Sequence, residues 1–131
     1  RQIQDIDPPI VRLEKYFLAN LELAAKHPDE MQLIVLLYYS ALHDAESKAP
    51  YASILERSRI RYRAILEAGV REGVFPPAED MDLVAELVHE IIVGSLIPFA
   101  AGKTSEKRLR AKWKIAIERL TGCDPKMLRL L

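Results

Sequence analysis

Residues 86–89 carry the pattern in this chain that is nearest to a metal-binding motif. Glu86 and His89 have the Glu-x-x-His spacing of di-iron helical bundles, which places both side chains on one face of a helix. Such sites need a second copy of the motif and two further glutamates, and neither His27 nor His43 follows a glutamate by three residues. We therefore expect His89 to be structural or to face a ligand. A helical enzyme or metal-carrying protein that uses Glu86, His89 and His43 remains the alternative.

Other patterns that could support catalysis or phosphate binding are incomplete. Cys123 is the single cysteine and has no base near it in the sequence, which excludes a disulfide framework and argues against a thiol nucleophile. Gly69 and Gly73 lack the preceding strand and the Lys-Ser/Thr of a phosphate loop, so they indicate a helix end. We expect no enzyme activity and no cofactor.

Four arginines alternate with other residues along residues 57–63. Alternation by two spreads side chains around a helix, whereas a nucleic-acid-binding stripe aligns at spacings of three or four. We expect these side chains to be solvated and to form salt bridges: Arg57, Arg59, Arg61 and Arg63.

A more informative pattern is a set of single polar side chains on apolar helical faces. Residues 31–43 are apolar almost all round, which is typical of a helix surrounded by other helices. Within them, Gln32, Tyr39 and His43 share a stripe with Leu36. This stripe is either the solvated edge of the helix or the wall of a ligand pocket. Similar polar positions on other predicted helices are Tyr16, Asn20, Ser58 and Tyr62.

These positions define a candidate ligand-binding set. A buried amide or hydroxyl costs about 1–3 kcal/mol when it is unpaired, so each needs a partner in the protein or in a ligand. We expect Asn20, Tyr39, His43 and Tyr62 to line one cavity between the first four helices. An apolar body with one or two polar groups would suit that lining. The full candidate set is Tyr16, Asn20, Gln32, Tyr39, His43, Ser58, Tyr62 and His89.

Prolines, glycines and capping residues divide the chain into about five helices. The first is predicted over residues 8–26, with Asp7 as its N-cap and Pro8 as its first residue. The others are a helix that begins at Pro28, one from near Pro50 to Gly73, one from about Asp80 to near Gly102, and one from Thr104 or Ser105 to Gly122. No Asn-Gly or Asp-Gly hairpin signal is present. The predicted fold is all-α, an antiparallel bundle of about five helices in a single domain over residues 1–131.

The composition is that of one globular domain. The chain has 131 residues, of which 50% are hydrophobic and 29% are charged. Lys and Arg (19) balance Asp and Glu (19), so there is no basic footprint for DNA, RNA or an anionic membrane. The longest uncharged stretches, residues 31–43 and 91–101, are shorter than the ~20 residues of a membrane span. No signal segment opens the chain, and because the first residue is Arg1, we expect a piece of a longer protein.

Four stretches in this order carry a family resemblance. They are the start at residues 7–8 that leads to the break at 27–29, the glycine-x-x-x-glycine turn of residues 68–75, the long helix of residues 80–94, and the last helix, which contains Trp113 and closes at residues 120–122. Together they resemble the C-terminal, ligand-binding and dimerisation domain of the TetR (tetracycline-repressor) family of transcriptional regulators.

The resemblance implies an effector-sensing domain of a cytoplasmic transcriptional repressor that forms homodimers. Family members read DNA through an N-terminal helix-turn-helix domain, which residues 1–131 do not supply. Operator binding is therefore assigned to no residue here. The expected partners are a second copy of the chain and a small-molecule effector. The first helix, residues 8–26, is expected to transmit the effect of the ligand.

An apolar surplus on the last two predicted helices also favours a homodimer. One face of the fourth helix serves the protomer core, so the apolar side chains on another face would stay in water in a monomer. Packing them and the surplus of the fifth helix against a second copy would form a four-helix bundle around a two-fold axis. The candidate interface residues are Val93, Leu96, Ile97, Ala100, Ala111, Trp113 and Ile115.

Overall fold

Five α-helices dominate the computed structural model, which describes residues 3–78 and 80–131. In chain order they are α1 Pro9–Lys26, α2 Pro28–Ser40, α3 Ala45–Arg71, α4 Met81–Ala100 and α5 Glu106–Thr121, followed by a 3-10 turn at Pro125–Met127. Within the described ranges there is no β-strand. The predicted all-α class and the number of helices are confirmed.

The starts of α4 and α5 follow local capping signals. The carboxylate of Asp80 accepts a hydrogen bond from the backbone N–H of Leu83 at 3.0 Å, and the hydroxyl of Ser105 accepts one from that of Arg108 at 3.1 Å. Each bond satisfies one of the free N–H groups at a helix N-terminus. These two caps agree with the predicted boundaries.

Other boundaries differ from the prediction. Helix α3 begins at Ala45 rather than near Pro50, because the Asp44 carboxylate accepts from the backbone N–H of Glu46 at 3.0 Å and caps an earlier turn. Pro50 lies inside the helix on its exposed side. Asp7 does not cap α1, since its carboxylate accepts from Lys15 Nζ at 2.8 Å. Helix α2 ends at Ser40, before the predicted position 43.

The core lies between α1, α3, α4 and α5. At its centre the rings of Phe17 and Trp113 meet edge to face, with centroids 5.0 Å apart. Trp113 Nε1 donates to the Ser95 hydroxyl at 2.8 Å, and Ser95 donates to the carbonyl of Ile92 at 3.1 Å. These bonds pair the polar groups that the aromatic core buries. Around them lie the fully buried side chains of Leu13, Ile65, Val88, Leu96, Leu109 and Ile117.

The turn after α3 depends on a glycine under an aromatic ring. The backbone N–H groups of Val74 and Phe75 both donate to the carbonyl of Gly69, at 2.8 and 3.1 Å. The buried ring of Phe75 then lies directly over Gly69, where a Cβ would overlap it. Gly73 takes a left-handed conformation with φ 74°. The two glycines therefore form the expected helix end.

An ion-pair cluster joins α3 to α4. Asp82 accepts from Arg59 and from Arg63, at 2.5 and 2.7 Å, and these two arginines also pair with Glu56 and Glu67 of their own helix. The arginines hold the pKa of Asp82 below its usual value. These ion pairs link α3 to α4 at the protein surface.

Candidate functional site

A cavity of about 170 Å³ lies between α1, α2, α3 and α4. One part of its lining is apolar and consists of Leu23, Met31, Ile34, Ile54, Ile92, Val93 and Leu96. The other part is polar and consists of Asn20, Tyr38, Ser58, Arg61, Tyr62 and His89. A lining that combines apolar side chains with convergent polar groups is typical of a small-molecule site.

Helical spacing explains why these side chains converge. On α2, Met31, Ile34 and Tyr38 are three and four residues apart, which places them on one face of the helix. The same spacing relates the lining residues of α3 and those of α4. Each helix therefore contributes one stripe, and the four stripes meet at the cavity.

Two tyrosines present neutral hydroxyls at the cavity. Burial raises the pKa of Tyr62 to about 12, and burial together with the nearby Tyr51 raises the pKa of Tyr38. The Tyr62 ring meets Tyr16 edge-on with centroids 5.8 Å apart, and Tyr38 lies tilted against Tyr51 at 5.1 Å. These ring contacts hold both tyrosines in place while their hydroxyls stay protonated at neutral pH.

His89 forms a wall between the cavity and a cleft on the outer side of α3 and α4. Burial lowers the pKa of His89, and the positive charge of Arg61 acts in the same direction while Glu90 opposes it. The ring of Tyr38 packs edge-on against His89 at 6.4 Å. The outer cleft is about 400 Å³ and carries the acidic side chains Glu56, Glu86 and Glu90 beside Arg59. The acidic groups thus lie on the opposite side of His89 from the cavity's arginine.

Half of the candidate ligand-binding set lines this cavity, namely Asn20, Ser58, Tyr62 and His89. Asn20 is anchored through its Nδ2, which donates to the carbonyl of Tyr16 at 2.8 Å. Tyr16 stands behind Tyr62 and is not part of the lining.

Gln32, Tyr39 and His43 do not line this cavity, so their interpretation as cavity residues is wrong. They lie on the solvated side, which is the alternative that the sequence left open. Tyr39 is 60% exposed, and its ring lies against that of the exposed His43 at 4.9 Å. Neither residue shares a cavity with Asn20 and Tyr62. The physical reason is that α2 turns its Met31 side toward the core, which points positions 32, 39 and 43 outward.

Gln32 lines a separate, open groove of about 380 Å³ between α1, α2 and the end of α4. The groove is otherwise apolar and includes Val35, Leu36, Ile97 and Ala100. Met31 borders both this groove and the cavity, so its buried side chain forms the partition between them.

Sequence reasoning missed two polar lining residues, Tyr38 and Arg61. Tyr38 lies four residues after Ile34 on the inner stripe of α2, so its spacing from Met31 could have identified it. Arg59 and Arg63 form ion pairs on the surface, as expected, and Arg61 is likewise exposed but also lines the cavity. Its position three residues after Ser58 and beside Tyr62 was the available signal.

The alternative metal site built on Glu86, His89 and His43 does not form. In the part of the chain that the structure describes, no group of three or more His, Cys, Asp or Glu side chains could hold a metal ion. His89 packs against Tyr38, whereas His43 lies in the turn after α2 against Tyr39.

The candidate dimer residues divide between core and surface. Leu96 and Trp113 are 2% and 0% exposed inside the protomer, so their placement at a dimer interface is corrected. Val93 is half-buried and lines the cavity. The exposed members of the set are Ile97, Ala100, Ala111 and Ile115.

Two further apolar side chains share the exposed face of α4. Leu83 and Leu87 are exposed, and successive spacings of four, seven and three residues connect Leu83 through Leu87 and Gly94 to Ile97 on one helical face. Sequence reasoning missed them because it followed the neighbouring stripe through Glu86 and Val93. Their heptad-like spacing was the available signal.

Helix α4 is long and apolar enough to cross a bilayer by length and composition alone. Core helices of soluble proteins pass the same test, so a single such helix is weak support for a membrane span. The buried face of α4 packs into the core through Val88, Ile92 and Leu96, and Glu86 and Glu90 lie on its exposed side.

Comparison with known proteins gives one match. Residues 9–122 match the family described as the C-terminal part of BetI-type transcriptional repressors. No curated protein and no solved structure matches the chain significantly.

Proposed function

The chain belongs to the TetR family as the C-terminal domain of a BetI-type transcriptional repressor, and from that membership we propose that it senses a small, mostly apolar effector and forms a homodimer. It acts without chemistry of its own, in the cytoplasm, and its effect on DNA passes through a helix-turn-helix domain. The observation that carries the sensing role is the cavity between α1, α2, α3 and α4.

The cavity is suited to switching because four helices contribute to its wall. A ligand that contacts Asn20 of α1, Tyr38 of α2 and Tyr62 of α3 binds better to one arrangement of these helices than to another. Its binding then shifts the population toward that arrangement. Helix α1 carries the shift toward the DNA-reading domain, as its place at the start of the matched region suggests.

The exposed face of α4 supports a homodimer through α4 and α5. Leu83, Leu87 and Ile97 are 56%, 43% and 48% exposed in the protomer, and Ile115 of α5 is 57% exposed. Covering such side chains recovers roughly 25 cal/mol per Å² of apolar area. A two-fold axis beside α4 would pair these side chains with their copies and make a four-helix bundle.

Charge complements the apolar contact. The exposed side of α4 carries Glu86 and Glu90, whereas that of α5 carries basic residues. Packing α4 of one protomer beside α5 of the other would bring opposite charges together at the rim, which favours the correct register. The basic residues of α5 are Lys107, Arg108, Lys112, Lys114 and Arg119.

The sensing role is tested with benzene, since a cavity of about 150 Å³ is large enough to bind it. We expect saturating benzene to raise the Tm of the unmodified chain, because a ligand that binds the folded state stabilises it. Ser58→Leu fills the cavity and should abolish the shift. Ser53→Leu, at an exposed position of the same helix, should preserve it.

Two outcomes would contradict the proposal. If benzene leaves the Tm of the unmodified chain unchanged, the cavity is not a binding site. If Ser58→Leu keeps the full shift, the ligand binds elsewhere. Isothermal titration of the same three proteins gives the stoichiometry, which we expect to be one ligand per protomer.

A further inference from the structure

Arg61 is an exposed residue that also lines the cavity, and among the lining residues it alone carries a full charge at neutral pH. None of the lining residues is Asp or Glu. Among the described residues, no carboxylate lies within ion-pair distance of Arg61, whereas Arg59 and Arg63 each pair with two. The cavity therefore favours an anion and disfavours a cation.

The position of the Arg61 guanidinium is set by one aromatic residue of α1. The Arg61 guanidinium lies over the face of the Tyr16 ring, 4.9 Å from its centroid, in a cation–π contact. A planar guanidinium held in this way keeps N–H groups for a carboxylate, to which it donates two parallel hydrogen bonds.

The rest of the cavity limits the ligand's size and polarity. Its volume of about 170 Å³ is close to that of a protein cavity that holds benzene. The walls away from Arg61 are formed by apolar side chains, among them Ile34, Ile54 and Ile92. A six-membered ring or a branched chain of similar size fits this part of the cavity.

We propose that the cavity binds a small organic acid, with a benzene-sized apolar body between the helices and a carboxylate paired with Arg61. This inference rests on the sensing function proposed above and names the chemical class of its ligand. Asn20, Ser58 and Tyr38 supply hydrogen-bonding groups for a further polar substituent on the body. The acidic groups Glu86 and Glu90 do not repel the ligand at contact, because they lie in the outer cleft.

The test compares three ligands of one shape and different charge: benzoate, the neutral benzamide and the cationic benzylamine. Isothermal titration of the unmodified chain should give one benzoate site per protomer. A charge-assisted bidentate pair is stronger than a neutral hydrogen bond, so benzamide should bind roughly tenfold more weakly and benzylamine more weakly still.

Substitutions in α3 test whether Arg61 is the charged residue that binds the carboxylate of benzoate. Arg61→Gln should lose the preference for benzoate over benzamide, and Arg61→Lys should keep part of it. Arg57→Gln, which removes an exposed arginine of the same helix, should bind benzoate as the unmodified chain does. Circular dichroism of each variant establishes that it is folded.

The inference is overturned if benzamide or benzylamine binds as tightly as benzoate, or if Arg61→Gln keeps the benzoate preference. It is also overturned if benzene stabilises the chain and benzoate does not bind, and in that case the sensing function stands. If benzene leaves the Tm of the unmodified chain unchanged, the sensing function itself fails, and this inference fails with it.

Discussion

The guanidinium of Arg61 lies 4.9 Å from the centroid of the Tyr16 ring, and this contact joins α3 to α1 at the rim of the cavity. Tyr16 in turn meets the buried Tyr62 edge-on. The exposed Arg61 side chain is thus held beside the cavity by Tyr16, a residue that does not line it. Tyr16 therefore acts on the cavity through Arg61 as a positioning residue.

Tyr16→Leu removes the ring under the guanidinium. We expect benzoate affinity to fall about two- to fivefold, because a cation–π contact at an exposed site contributes roughly 0.5–1 kcal/mol. Tyr16→Phe keeps the ring face and should bind benzoate as the unmodified chain does. Calorimetric titration measures both. Equal affinity for Tyr16→Leu and Tyr16→Phe would show that the ring does not position Arg61.

Ile97→Glu should split the homodimer. The substitution places two carboxylates near the proposed two-fold axis, where neither has a partner and both lose their hydration. Sedimentation equilibrium at micromolar concentration should give a dimer for the unmodified chain and a monomer for Ile97→Glu. Leu42→Glu, at a site that is 73% exposed after α2, is the matched control and should stay dimeric. A monomeric unmodified chain would rule the dimer out.

Gly69→Ala should destabilise the protomer. Its Cβ would overlap the buried ring of Phe75, and forcing extra volume into a packed core costs roughly 1–3 kcal/mol. Urea unfolding of a double-mutant cycle tests the cause. In a Phe75→Ala background, Gly69→Ala should cost nothing or stabilise the helix slightly, since the overlapping ring is gone. An equal loss in both backgrounds would mean that the backbone, not the ring, requires glycine.

His89 should make stability depend on pH on the acidic side of neutrality. Because burial lowers the pKa of His89 in the folded chain, the unfolded chain takes up this proton first as the pH falls. The contribution of neutral His89 is complete above its ordinary pKa of 6.5 and is lost as the pH falls from there to the folded value. His89→Gln should flatten this part of the profile of unfolding free energy against pH.

The control for that measurement is His43→Gln, which removes an exposed histidine from the turn after α2. Urea unfolding at several pH values between about 7.5 and 5 gives the profile for all three proteins. A His89→Gln profile parallel to that of the unmodified chain would contradict the prediction.

Predictions from the sequence were most accurate for features that local interactions determine, such as the starts and ends of helices. Asp80 and Ser105 mark helix starts because a side-chain oxygen reaches a free backbone N–H three residues ahead. Gly73 and Gly122 mark helix ends because both adopt left-handed φ values, which cost other residues more. Such interactions span a few residues, so their partners are visible in the chain itself. The all-α class followed from these signals, whereas the family was indicated by the resemblance of four stretches and shown by the family match.

The candidate site was only half predictable. The sequence shows that α2 is apolar almost all round, but such a helix has no polar face to indicate which side packs inward. Tertiary packing turned Met31 and Tyr38 inward and left Tyr39 and His43 in solvent. The choice depends on the surfaces of α1, α3 and α4, which lie far away along the chain.

Packing against helices distant in sequence also decides which residues of α4 and α5 are buried and which are exposed. The sequence grouped Leu96 and Trp113 with Ile97 as dimer-interface residues. The first two are buried within the protomer, whereas Ile97 is exposed. The role of Arg61 is the clearest case. The sequence determined that an arginine occurs between Ser58 and Tyr62, but only the crossing of α1 over α3 put the Tyr16 ring beneath it. Long-range contacts decide where a charge is held, because they depend on how helices distant in sequence meet.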